Sequence, residues 1–460
     1  MTEHGCSTLS TKEDGRVLDR LAGLEKVISP ELIRQVLTET GRVNGRACPL
    51  THEIMLWVVV AMGLLTHIPI RQVFKHARRL REGEPTPARS SLCMARQRLG
   101  AEPVRRLHAA VVRPLATPET PGAFYRGLRL MAFDGSVYDV PDSPANASFG
   151  RSSGGRGEGA FPQVRKVSLV ELGTHIETAM VIGGWHDSEQ ELHRQLWGDL
   201  PDDALLLEDR GFFSYEDWKA LNSRVKLLVR VKSNMVLKPI QQLSDGSYLA
   251  KIYPNSYDRK KDRKGIVVRI LEYTLNDPQR TGQGETHRLM TNLLDETEYP
   301  AMELIVLYHE RWEEELVFDE QKTHQDPRRA EKPAQLRSET PEGVRQEMYA
   351  LSLGHFIVRA LMLEAAQPAG WDVDRLSFTG CFRILQCRLP ECDSRTAASF
   401  AQWYAALLAE LRQEAIGARR NRVNPRVIKR KMSKWQKKRP HHRPCPPMTK
   451  RFEDCVVMKT

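Results

Sequence analysis

No apolar run in this 460-residue chain is long enough to cross a bilayer: the longest, Ile54 to Leu65, has 12 residues, against the roughly 20 a spanning helix needs. It reads as a buried helix, and no membrane is expected among the partners. The opening residues, MTEHGCSTLSTKEDGR, contain no apolar h-region and no small-residue cleavage site, so the expected compartment is the reducing cytoplasm. Cysteine is sparse, with 8 residues and no Cys-x-x-Cys pair, which excludes a disulfide framework. Cys381, Cys387 and Cys392 have no neighbouring histidine, and His441, His442, Cys445 and Cys455 lie in a polar, proline-rich stretch. Neither set is expected to hold zinc. No Gly-rich loop of the GxxxxGK type occurs, so no nucleotide cofactor is expected. What remains, 41% hydrophobic and 28% charged residues, is the balance of a soluble globular protein of about three domains.

The net charge of +11 is unevenly placed. Between Arg419 and Arg451 there are 14 Lys or Arg and no Asp or Glu, leaving 55 basic against 58 acidic residues elsewhere. A second cluster, from Arg71 to Arg106, has ten basic residues against Glu82, Glu84 and Glu102, and a third is DRKKDRK at Asp258 to Lys264. Basic patches set apart from an acidic body are the footprint of a protein that holds a polyanion, most simply nucleic acid. A merely solubilising tail is the alternative, although Trp435 among the tail's charges favours contact with a partner.

Residues 17–120 read as helical. A helix from His52, a break at Ile68-Pro69, a second helix IRQVFKHA and the arginine-rich SLCMARQRLG suit either a helix-turn-helix or a plain bundle. At Gly127 the period changes. LRLMAF, SVYDV, VSLVEL and HIETAMVI read as strands of an antiparallel meander. Ser188 with Glu191 marks a helix start, ALLLED (Ala204 to Asp209) a short strand, Ser214 to Asn222 a helix and VKLLVRV a further strand, giving a mixed α/β sheet. From Lys232 to Asn292 the pattern is strand-like again, with DRKKDRK at a hairpin tip. A long helix follows Pro300 and runs through Lys322, and another, from Glu342 to about Ala366, is apolar on most sides and so buried.

On the helix after Pro300, Tyr308, Arg311, Glu315 and Lys322 fall at azimuths of about 0°, −60°, −20° and −40°, one narrow stripe. Such a stripe suits gripping a phosphodiester while the carboxylate holds a divalent metal; solvated i,i+4 pairs would produce the same pattern. Asp134 follows an apolar strand and Asp209 ends one, where α/β sheets present ligand-binding groups. Each has a local alternative, Asp134-Gly135 as a hairpin turn and Asp209-Arg210-Gly211 as a strand-ending loop. Together the three acids change the weighing, because two-metal phosphoryl transfer needs carboxylates from separate elements converging on one point.

YHERWEEELVFDEQK, from Tyr308, matches all four positions of the Y-(2)-R-(3)-E-(6)-K helix signature. With FDGSVYDVPDSPANASFG from Phe133 and LLLEDRGFFS from Leu205, the chain resembles insertion-sequence transposases of the DDE class, in the insertion-sequence-four group, over roughly residues 28 to 410. The resemblance implies an α/β fold with an RNase-H-like catalytic core, a mixed sheet flanked by helices and interrupted by a β-strand insertion. It gives a helical N-terminal DNA-binding domain at 1–120, the catalytic domain at 121–370 with its insertion at about 232–292, a helical region at 371–418 and a flexible basic tail at 419–460. It implies that Asp134, Asp209 and Glu315 bind two Mg²⁺ ions, for which Mn²⁺ substitutes, while Tyr308, Arg311 and Lys322 contact DNA phosphates. The implied partners are terminal inverted repeats and target DNA, held by at least a homodimer. Some members stack a flipped base on a tryptophan in the insertion. Here no Trp occurs between Trp218 and Trp312, leaving Tyr253 and Tyr257 as substitutes. A catalytically silent DNA-binding regulator and a metal-dependent nuclease without strand transfer are the competing readings.

Overall fold

The computed structural model describes residues 18–44, 48–79, 83, 85–154, 157–232, 234–277, 284–309, 313–325, 336–392, 396–417 and 450–459. Among the described residues a 3-10 helix, Asp19–Lys26, is followed by five α-helices: α1 (Pro30–Glu39), α2 (His52–Leu64), α3 (Ile70–Ala77), α4 (Arg89–Leu99) and α5 (Glu102–Val111). Ser29 caps α1 by accepting the Leu32 N–H, with Pro30 in the first turn, and Thr51 caps α2 by accepting from Ile54. Both caps satisfy an amide that a helix start would leave unpaired.

Strands follow from Phe124: β1 (Phe124–Tyr125), β2 (Leu128–Asp139), β3 (Arg151–Gly154), β4 (Gly157–Glu171) and β5 (Ile176–Gly184). The two apolar runs around Asp134-Gly135 form the single strand β2, so this dipeptide makes no hairpin turn. Next come α6 (Glu189–Arg194), β6 (Ala204–Glu208), α7 (Tyr215–Leu221) and β7 (Lys226–Arg230). α6 starts after Ser188 as the sequence predicts, although the serine hydroxyl makes no cap bond.

The insertion comprises β8 (Pro239–Gln242), β9 (Tyr248–Ile252), α8 (Ser256–Lys260), β10 (Ile266–Leu275) and β11 (His287–Thr291). The sheet order is β3-β4-β2-β6-β7-β11-β10-β9-β8, with β5 beside β4. β2, β6 and β7 are parallel and their neighbours antiparallel, the mixed sheet of an RNase-H-like core. DRKKDRK sits at the tip joining β9 to β10, where Asp262 and Lys264 adopt positive φ and the Tyr215 hydroxyl donates to the Lys264 carbonyl.

The remaining helices are α9 (Ala301–His309), α10 (Glu313–Asp319), α11 (Pro341–Ala366), α12 (Phe378–Arg388) and α13 (Ala397–Gln413). α11 alone among the described residues is long and apolar enough to span a membrane, and 78% of its most apolar window is buried in the protein. One apolar cluster joins α1 to α5 with α11 to α13 and includes Tyr138, Val164, Ile176 and Met180 from the sheet. The chain closes with a strand, β12 (Val456–Met458), antiparallel to Tyr273–Leu275 of β10. The expectation of a flexible tail over 419–460 is therefore overturned for 450–459: the exposed edge of β10 pairs with it, and Cys455 is fully buried.

Candidate active site

Parallel pairing of β2 with β6 runs from Arg129 opposite Ala204 to Ala132 opposite Leu207. Continuing that register two residues brings Asp134 level with Asp209, just past the end of β6. Alternation along the strands puts both acids on the face shared by Leu130, Ala132, Leu205 and Leu207. These pack with Leu304, Ile305, Tyr308 and Val317 of α9 and α10. The backbone of Glu315, two positions before Val317, therefore runs over the same face; its side chain lies outside the described residues, as does all of Arg311.

Asp134 is half-buried and accepts the Gly135 N–H at 2.7 Å. Asp209 is half-buried, and its Oδ1 is enclosed with no hydrogen-bond partner among the described residues. A carboxylate oxygen withdrawn from water with nothing donated to it suits a hard divalent cation. Among the described residues no three His, Cys, Asp or Glu side chains are gathered as a metal cluster.

Neighbouring acids divide by face. Glu208 precedes Asp209 and by alternation points to the opposite side of the sheet. Burial, reinforced by Asp217, pushes its carboxyl up to about 8.

Of the signature residues with described side chains, Tyr308 and Lys322 depart from a uniform stripe. The expected helix is described over 301–309 and 313–319, and it widens at its end into a π-turn, Glu320–His324. The 100° increment thus fails before Lys322. Tyr308 is turned inward, 8% exposed, and its hydroxyl donates to the Glu208 carbonyl at 3.0 Å. It braces the strand end that carries Asp209, rather than standing in solvent where a phosphate would meet it. Lys322 donates to the Val137 carbonyl at 3.0 Å and lies 4.6 Å from the Tyr138 ring centre. Of the substitute aromatics, Tyr257 is 61% exposed, whereas the Tyr253 hydroxyl is held by Asp262 at 2.6 Å.

Sequence reasoning missed a buried polar group on the same face. Lys166 and Glu177 pair at 2.5 Å, and Gln321 of the π-turn joins both. Burial works against the Glu177 charge, yet Lys166, with Ser168 and Ser352, holds its carboxyl at about 2, while burial lowers Lys166. The available signal was a charged residue at the edge of or inside an apolar strand, KVSLVEL and HIETAMVI. Behind the turn, Glu320 is buried against Arg359 and His355, and burial is outweighed by Arg359 in keeping it well below the usual carboxylate range. In the basic cluster 71–106, Arg96 is spoken for: it donates to Gln346 at 2.7 Å and to the Gly343 carbonyl at 2.6 Å, fastening α4 to α11.

Comparison with known proteins gives a consistent result. Residues 18–109 match the insertion element 4 transposase N-terminal family, and residues 125–353 match the transposase DDE domain. The chain is 30% identical over 424 residues to the transposase InsG for insertion sequence element IS4 of Escherichia coli strain K12, covering 90% of this chain and 93% of that one. It is 28% identical over 199 residues to a putative transposase InsZ of the same organism, covering 42% of this chain and 65% of that one. A solved piggyBac transposase synaptic complex with hairpin DNA aligns with 88% of this chain and 87% of that one, at 10% identity and a TM-score of 0.45. That last likeness is too distant to bear on function.

Proposed function

This chain belongs to the insertion-element-4 family of DDE transposases, and from that premise we propose that it binds the terminal inverted repeats of an insertion sequence, cuts the 3′ strand at each end and joins the freed ends to target DNA. The observation that carries the reading is the parallel register that brings Asp134, within β2, level with Asp209, just past the end of β6, beneath the helix of Glu315. DDE transposases work with divalent metal ions. Asp134, Asp209 and Glu315 would hold two Mg²⁺, with Mn²⁺ as substitute, and the bound ions supply activation of the attacking oxygen and neutralisation of the leaving one.

The protein's own groups hold this site in shape. Tyr308 fixes the strand end before Asp209, and Lys322 fixes the strand of Asp134 through the Val137 carbonyl; a phosphate contact is assigned to Lys322 by its place in the signature. Arg311 is assigned a phosphate contact by its place in the signature. In cutting, water adds to the scissile phosphorus and the 3′ oxygen leaves as a hydroxyl. In joining, that hydroxyl adds to a target phosphodiester and the target's own 3′ oxygen leaves. Cutting is a hydrolysis that leaves a 3′-hydroxyl and a 5′-phosphate, and in joining one phosphodiester is formed for each one broken, so neither step consumes a nucleotide. Two ends must be held at once, which calls for at least a dimer on DNA, in the cytoplasm.

Glu315→Gln, Asp134→Asn and Asp209→Asn test the assignment. Each is expected to bind end DNA as the parent does, while 3′ cutting with Mg²⁺ or Mn²⁺ falls to background. Retained cutting in any of the three would remove that residue from the site.

A further inference from the structure

The sheet face that carries Asp134 also holds a buried ion pair for which the chemistry above has no use. Lys166 stands opposite Ser136 in the β2–β4 register and is 2% exposed. Its Nζ lies 2.5 Å from Glu177 Oε1 on β5 and 2.5 Å from Gln321 Oε1 on the π-turn. Gln321, fully buried, donates its amide to Glu177 Oε2 at 3.1 Å and accepts the Tyr138 hydroxyl at 3.3 Å. Ser168, directly in register with Asp134, donates to Glu177. Four elements, β2, β4, β5 and the turn after α10, each contribute a side chain.

Holding these elements together does not require charge. Withdrawing an ammonium and a carboxylate from water costs several kcal/mol each, and packed apolar side chains hold elements together without that cost. What the polar arrangement adds is direction. A glutamine that must accept from a lysine and donate to a carboxylate has one orientation that satisfies both. A π-turn also changes the rotation of one helical stretch against the next, and here the stretch before it carries Glu315. Through Ser352, which bonds to Glu177 and lies 2.9 Å from His108, the same groups reach α11 and α5.

Resting on the reading of Glu315 as the third acid, we infer that Lys166 is a positioning residue for phosphoryl transfer. Acting through Gln321 and Glu177, it fixes the turn that follows Glu315 against the strand of Asp134 and so sets how the acids converge.

Lys166→Met, Gln321→Leu and the conservative Lys166→Arg test this in the full chain, with end-DNA binding, thermal melting, Mn²⁺ binding by calorimetry and the Mg²⁺ dependence of 3′ cutting. Lys166→Met is expected to bind end DNA normally, to need more metal for half-saturation and to cut about 10- to 100-fold more slowly, the usual range for groups that orient metal ligands. Gln321→Leu should reproduce it and Lys166→Arg should recover part of the rate. Should Lys166→Met fail to fold, Gln321→Leu and Lys166→Arg carry the comparison. A lower melting temperature with unchanged metal affinity and unchanged rate per folded molecule would overturn the inference. Glu315→Gln separates the two levels: if it too leaves cutting intact, the reading of the site fails, and if it abolishes cutting while the Lys166 and Gln321 variants keep parental metal dependence, only the positioning role fails.

Discussion

His108 is a fully buried imidazole whose Nε2 lies 2.9 Å from the Ser352 hydroxyl, and burial lowers its pKa to about 4. The unfolded chain takes up this proton near 6.5 and the folded chain only near 4, so stability is present above 6.5 and lost as pH falls between those values. Unfolding free energies measured from pH 7 to 4 should show the parent losing up to about 3 kcal/mol relative to His108→Gln; parallel curves would contradict the buried neutral imidazole. At this scale the sequence marks out candidates: Asp134 and Asp209 by their place beside apolar strands, and Tyr308, Arg311, Glu315 and Lys322 by their spacing. The partnerships of Lys166 were not legible, since they span 11 residues to Glu177 and 155 to Gln321, and only the folded sheet brings those together.

Elements were read well wherever one period dominated. β6, α7, β7 and the buried α11 follow from apolar runs and caps, whereas the π-turn at Glu320–His324 did not, because a helical period says nothing of how a helix is tied down at its end. Close approach of helices is equally silent in the pattern. α2 is apolar on all sides, as a fully buried helix must be, and it meets α11 at Gly63. A Cβ there would stand 1.8 Å from the Ala350 carbonyl oxygen, and a backbone oxygen inside a helix cannot move aside. Gly63→Ala should therefore force the two helices apart and cost about 1 to 3 kcal/mol, read as a lower midpoint in urea. An unchanged midpoint would show that the contact is looser than described.

The molecule as a whole is less divided than its charge pattern suggested. The N-terminal helices share one apolar cluster with α11 to α13, and the chain returns after its basic stretch to add β12 to the insertion. There Phe452 stacks on His309, next to Tyr308, with ring centres 4.2 Å apart and planes 5° from parallel. This closure was hidden from sequence because FEDCVVM is short and follows a run whose composition reads as solvated tail. Deleting 451–460 uncovers the edge of β10 and the contacts of Cys455 and Val456, and should lower stability by on the order of 3 kcal/mol, seen as a reduced melting temperature; a truncated chain that melts like the parent would refute the docking. The function proposed at this scale is the joining of two DNA ends to a third site, and one assay addresses it most directly: incubation of the parent and Glu315→Gln with a plasmid carrying the element's own ends, target DNA and Mg²⁺. The account predicts 3′ cuts at the end boundaries followed by end-to-target joints, both absent in Glu315→Gln. Cutting without joints would indicate a nuclease, and specific binding with no cutting by the parent would indicate a silent regulator; either would contradict it.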